Sequence, residues 1–179
     1  MRKIICLTGV SGVGKGFTAT KYCGLKKSVL HLVASDILKD ELKVKKEQLR
    51  VSEKSKIEDN QEVLVKAFHK ALANKASDVA VIFDCHMIID NDHELVQIPL
   101  QVFRDINISQ IIFVYDKPMT IYERRKNDID RTRPERDESD IENQQDNALD
   151  VARNYASQLN VPISIISPCP KELEKTQSS

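Results

Sequence analysis

Lys3-Ile4-Ile5-Cys6-Leu7-Thr8-Gly9-Val10-Ser11-Gly12-Val13-Gly14-Lys15-Gly16-Phe17 joins an apolar, strand-like run to a glycine-rich loop that closes on a lysine. A polyphosphate is held by several backbone N–H groups at once, and Gly9, Gly12 and Gly14 let the chain turn through positive φ with no Cβ in the way. Lys15 adds a mobile ammonium, expected to face solvent, and a helix expected to begin near Gly16 turns its positive dipole end toward the same anion. The stretch reads as a phosphate-binding loop, with Gly9, Ser11, Gly12, Val13, Gly14, Lys15, Gly16 and Phe17 as the nucleotide-contacting residues. Its last place departs from G-x-x-x-x-G-K-[ST]: Gly16 stands where a magnesium-binding hydroxyl is usual.

Outward from this loop, β-rich runs recur at 28–33, 79–83, 110–115 and 161–166, with helical patterns between them. Ile57, Leu64, Phe68, Ala71 and Leu72 share one helical face, and Lys54, Lys56, Glu62 and Lys66 suit the wet side. Ser139-Asp140-Ile141-Glu142 matches a capping box ahead of a stripe formed by Ile141, Ala148, Ala152, Tyr155 and Leu159. Strands alternating with helices predict an α/β fold whose parallel sheet is covered on both faces. Ligands in such a sheet sit beyond the carboxyl ends of the strands, where two irregular, polar segments also emerge, 84–98 and 126–138.

A chain of 179 residues fits one domain, taken as 1–170, with 171–179 as a tail. With no Trp and only 5 Phe and 4 Tyr, the core must be built mainly from Leu, Ile and Val. Lys plus Arg balances Asp plus Glu at 27 each, which removes any global drive toward nucleic acid or an anionic membrane, so an anion site must be local. Cys6, Cys23, Cys85 and Cys169 show no metal-ligand spacing and read as reduced thiols. No signal-peptide core precedes the first strand and no stretch approaches spanning length, so a cytoplasmic location and no membrane partner are expected; the oligomeric state stays open.

Asp84 closes the run Val79-Ala80-Val81-Ile82-Phe83, where an acidic residue can orient a magnesium-bound water near Lys15. His86 would lie close by, as a functional group or as a hydrogen-bonded structural residue. Phosphoryl transfer needs cations at the equatorial oxygens and a dry site, and 124–136 supplies Arg124, Arg125, Arg131, Arg133 and Arg136. The segment 126–138 is expected to be a lid, with Arg131 and Arg133 as catalytic cations. Arg124 and Arg125 stand about 100° apart on a helix, so one, taken as Arg125, should serve the nucleotide and the other should be external.

Asp84-Cys85-His86, Ile98-Pro99, Glu123-Arg124-Arg125, Arg131-Thr132-Arg133-Pro134 and Ile141-Glu142-Asn143-Gln144, taken in this order with the loop, closely resemble archaeal-type adenylate kinases and related bacterial nucleotide-kinase-like ATPases. The resemblance spans nearly the whole chain. It implies a three-layer P-loop NTPase fold with a five-stranded parallel sheet in the order 2-3-1-4-5, a short Arg-rich lid, ATP and Mg²⁺ as cofactors, and transfer of phosphate to a nucleoside monophosphate. It also implies that Gly16 follows the family habit of holding magnesium through phosphates and waters. Ser35, Asp36 and Lys39 resemble the family's acceptor helix start, and Arg50 and Gln101 join them as substrate-binding candidates. Lys39 replaces an Arg and cannot make a bidentate fork. Two other classes remain open: a kinase for a metabolite or nucleoside hydroxyl, with Asp36 or His86 as base, and a slow ATPase switch that docks a protein or RNA partner.

Overall fold

In the computed structural model, which describes residues 2–25, 28–129 and 134–168, the opening run is strand β1 (Ile4–Thr8) and Lys15 is the first residue of helix α1 (Lys15–Leu25). All five residues of β1 are buried, as an apolar strand inside a parallel sheet must be. The chain continues through β2 (Val29–Val33), α2 (Ala34–Leu42), the short α3 (Lys46–Arg50), α4 (Lys54–Leu72) and β3 (Ala80–Asp84). After a hairpin of β4 (Ile88–Asp90) and β5 (Leu95–Gln97) come α5 (Leu100–Ile106), β6 (Gln110–Val114), α6 (Pro118–Lys126), α7 (Glu138–Leu159) and β7 (Ile163–Ile166).

The main sheet runs β2-β3-β1-β6-β7 with every neighbouring pair parallel. Counted over the five sequence runs, this is the 2-3-1-4-5 order of a three-layer α/β fold. Leu7 faces Asp84 on one side and Ile112 on the other, so β1 opens its loop between β3 and β6. The chain winds outward in both directions from that point, which is where open α/β sheets form their ligand crevice. Phe68 of α4 meets Phe83 of β3 edge to face at 4.9 Å between ring centres, fixing that helix against the sheet.

Three local expectations are corrected. The segment 84–98 is not a plain connection: β4 and β5 pair antiparallel, Ile88 with Gln97 and Asp90 with Leu95. The turn is made by Asn91, whose Oδ1 accepts from the N–H groups of His93 and Glu94 at 3.0 and 2.8 Å, while its Nδ2 donates to the Ser52 carbonyl at 3.2 Å. The cap of α7 is Asp137, whose carboxylate accepts the Asp140 N–H at 2.8 Å, two residues ahead of the expected Ser139. In α4 Ala71 is exposed while Asn60, Gln61 and Ala67 are buried, so the inward face is broader and more polar than the stripe predicted. Of the expected lid, residues 127–129 and 134–137 form neither helix nor strand, and Arg131 and Arg133 lie outside the described residues.

Candidate active site

Gly9, Gly12 and Gly14 take φ of +144°, +84° and +104°. A Cβ on Gly9 would come within 2.6 Å of the Val114 carbonyl oxygen, and one on Gly14 within 3.1 Å of Pro168 Cβ. The loop is thus pressed between the end of β6 and the segment after β7, and only glycine fits at those two places. This backbone cradle fits a polyphosphate, whose oxygens take N–H donors without needing side chains.

Both arginines of α6 grip the loop from outside. Arg124 Nη1 donates to the Val13 carbonyl at 3.0 Å and pairs with Asp116 Oδ2 at 2.8 Å. Arg125 Nε donates to the Ser11 carbonyl at 2.9 Å, and its Nη2 to Gln144 Oε1 at 3.4 Å. The division into one inward and one external arginine is therefore incorrect. Two long side chains leaving the helix in different directions still reach one loop, because the loop itself curves around the end of α6. Both also line the cleft described below.

Lys15 is only 7% exposed, not solvent-facing. Its Nζ donates to the Gly9 and Val10 carbonyls at 3.0 and 3.4 Å and lies 3.4 and 3.3 Å from the two ring nitrogens of His86. Asp84 is buried beside them, its Oδ2 3.6 Å from His31 Nε2. Burial pushes the Asp84 carboxyl upward, but the nearby His31 imidazole and the charge of Lys15 outweigh it and hold the group below its ordinary value. Asp84 is therefore a carboxylate at neutral pH. Next to it Cys85 Sγ lies 3.4 Å from Cys6 Sγ, and burial first, then the Cys6 contact, drives the Cys85 thiol well above its usual range.

A cleft of about 710 Å³ runs from Gly12, Gly14, Lys15 and Gly16 past Asp84 and His86 to a far wall on α2, α3 and α4. Ser35 and Asp36 line it, with Asp36 Oδ1 bound by Lys46 Nζ at 2.6 Å. Lys39 does not: it points along α2, its ammonium 3.5 Å from Asp40. Gln101 sits on the exposed side of α5, donating to Asp105 Oδ1 at 2.6 Å and accepting from Arg104, away from the cleft. The side chain of Arg50 lies outside the described residues. Phe17 is 48% exposed with Lys21 Nζ 4.9 Å from its ring centre, and Val13 is buried behind the loop.

The lining residues that sequence reasoning missed are Lys46, Asn60, Gln61, Gln144 and the hairpin side chains Ile88, Ile89, Asp90 and Leu95. One signal was present: Asn60 and Gln61 fall three and four places after Ile57, on the apolar face of α4, where polar residues need a reason to be. Among the described residues no group of three or more His, Cys, Asp or Glu is arranged to hold a metal.

The profile of the AAA domain family matches residues 8–142, from the end of β1 into α7. The chain belongs to that family. An adenylate kinase of Pyrococcus horikoshii is 29% identical over 171 residues, covering 91% of this chain and 85% of that protein. The adenylate kinase of Pyrococcus abyssi is 27% identical over 173 residues, covering 93% and 86%. Among solved structures, shikimate kinase from Bacteroides thetaiotaomicron superimposes with a TM-score of 0.53 at 14% identity, over 97% of this chain and 93% of that one. At that identity the likeness concerns the fold alone. No helix among the described residues is long and apolar enough to cross a membrane.

Proposed function

We propose that this protein transfers the γ-phosphoryl group of ATP to a nucleoside monophosphate, with AMP as the first candidate because the related Pyrococcus proteins are adenylate kinases. The observation that carries the reading is the cleft joining the glycine loop to a separate wall on α2–α4, so that a donor on the loop and an acceptor on the wall would share one space. The N–H groups of residues 9–16 hold the donor phosphates. Lys15, already turned inward by the Gly9 and Val10 carbonyls, neutralises charge as it shifts toward the leaving oxygen. Asp84 would help hold a magnesium ion through water, and that ion would supply positive charge to the transferring phosphates. Arg131 and Arg133 are proposed to close over the transferring group. A phosphate acceptor is already an anion, so no side chain has to remove a proton.

A hydroxyl acceptor would need a base at the far wall, and the carboxylate there, Asp36, is occupied by Lys46 at 2.6 Å. ADP production from ATP and magnesium, followed with each nucleoside monophosphate and with none, tests the proposal. The expected result is acceleration by AMP with two ADP formed per ATP consumed, or by another monophosphate with one ADP and one nucleoside diphosphate formed per ATP. A rate independent of every monophosphate would overturn it in favour of a hydrolytic switch.

A further inference from the structure

The two adjacent glutamines of α7 use their amides in different ways. Gln145 gives both ends to one residue: its Oε1 accepts the Asp116 N–H at 3.2 Å and its Nε2 donates to the Asp116 carbonyl at 2.9 Å, which fixes α7 to the turn between β6 and α6. Gln144, buried and lining the cleft, divides its amide between two elements. Its Nε2 donates to Asp90 Oδ2 on the hairpin at 2.7 Å, and its Oε1 accepts from Arg125 Nη2 on α6 at 3.4 Å. Arg125 in turn donates through Nε to the Ser11 carbonyl of the glycine loop at 2.9 Å. Three hydrogen bonds thus run from the hairpin to the loop, through residues that all border the cleft. The residue type at 144 follows from its place. A carboxylate there would repel Asp90 and a cation would repel Arg125, whereas a neutral amide offers a donor to one and an acceptor to the other.

We propose, on the reading given above that the loop holds the phosphates of ATP, that Gln144 is a positioning residue through which occupancy of the loop is passed to the hairpin wall of the cleft. The bond to Asp90 is short and the bond to Arg125 long, so the route has room to tighten at its loop end. Phosphate charge arriving on the loop attracts the Arg125 guanidinium and holds it against Ser11 and Gln144. With Oε1 held, Nε2 stays on Asp90, and Ile88, Ile89 and Leu95 of the same hairpin keep their place along the cleft. Gln145 fixes the backbone of α7 meanwhile, which confines the effect to the side-chain route. By linkage, a ligand resting on the hairpin wall raises the affinity for ATP by the same factor.

The test measures amide exchange in 88–97 with and without the magnesium complex of the β,γ-imido analogue of ATP, in the intact protein, Gln144→Leu and Gln144→Glu. The analogue should slow hairpin exchange about fivefold or more in the intact protein. Gln144→Leu removes both bonds, and Gln144→Glu keeps an oxygen for Arg125 while setting a second carboxylate against Asp90. In each variant the slowing should shrink to within about twofold, with the analogue still bound by calorimetry. A merely structural Gln144 would let the variants speed hairpin exchange equally with and without the analogue, and a ratio unchanged from the intact protein overturns the assignment. The Arg136 fork on Asp90 remains in both variants, and either one decides the matter if the other fails to fold. If the intact protein binds the analogue with no slowing in 88–97, the role of Gln144 is overturned while the ATP reading stands. If it does not bind the analogue, the ATP reading fails and the role of Gln144 falls with it.

Discussion

Arg125 holds the glycine loop where a side chain on Gly12 would meet it: its Nε bonds the Ser11 carbonyl at 2.9 Å, and its Cγ stands 2.9 Å from the place a Cβ on Gly12 would occupy. Gly12 also has φ of +84°, where a β-carbon is strained in its own right. Gly12→Ala should therefore displace Arg125 and misalign the N–H groups, lowering ATP affinity tenfold or more by calorimetry. Gly16 is the internal control, since nothing lies within 4 Å of a Cβ built there and its φ is not positive. Gly16→Ala should retain ATP binding and raise the melting temperature by roughly 1–4 °C, about the helix-propensity difference of up to 1 kcal/mol. Equal ATP affinity in the two variants would show that the loop is not the nucleotide cradle.

Lys15 combines burial with a chemical task, and the two can be separated. Lys15→Met keeps the apolar stem but leaves the Gly9 and Val10 carbonyls without their ammonium. The fold should survive, with a loss of about 1–3 kcal/mol in denaturant unfolding. Phosphoryl transfer should fall by at least two orders of magnitude, because the ammonium acts on charge that develops only as the bond breaks. A folded variant with an undiminished rate would remove Lys15 from the mechanism.

Asp84 has a folded pKa below its unfolded value of about 3.9. A depressed carboxyl stabilises the protein above the unfolded pKa, and this contribution is lost as pH falls through the folded one. Unfolding free energy should thus be insensitive to this group from pH 5 to 8 and should drop below about pH 4. Asp84→Asn should flatten that acid limb and, at neutral pH, reduce magnesium-dependent turnover more than ATP binding. An acid limb of unchanged slope would mean that the His31 and Lys15 surroundings do not hold the carboxylate as described.

Much of this arrangement was legible in the sequence where one local rule decides the outcome. The run Ile4–Thr8 is apolar at every position and is followed by three closely spaced glycines, so strand and loop could be read together. The cleft's far wall was not legible in the same way. Lys39 was chosen because it fits a local pattern, whereas Lys46 comes to Asp36 only through the way α3 folds back on α2, a tertiary matter. The hairpin 88–97 was hidden for a related reason: its strands are three residues each, and its turn is stabilised by Asn91 reaching across to Ser52, a contact 39 residues away in sequence. Arg124 was misread because its orientation was judged from the helix alone, without the loop that curls around it.

Asp90 and Arg136 carry the last prediction, since they join the hairpin to the segment that leads into α7. Arg136 Nε and Nη2 each donate to one oxygen of the Asp90 carboxylate at 3.1 Å, and Gln144 Nε2 adds a third bond at 2.7 Å. The carboxylate side chain is 13% exposed, so this pair is far better shielded than a surface ion pair. Arg136→Ala leaves Asp90 with only the Gln144 amide and the Asp92 N–H in a half-dry site, which should cost about 1–3 kcal/mol and lower the melting temperature by several degrees. Arg136→Lys should recover little, because an ammonium cannot make the planar fork. The functional effect follows from what Asp90 is attached to: Ile88, Ile89 and Leu95 of the same hairpin wall the cleft opposite the glycine loop. Loosening them should raise the KM for the acceptor several-fold with the KM for ATP nearly unchanged, and should speed amide exchange in 88–97 above that in the main sheet. If Arg136→Ala loses stability with no faster exchange in the hairpin, the fork is a stabilising contact that does not position the acceptor wall.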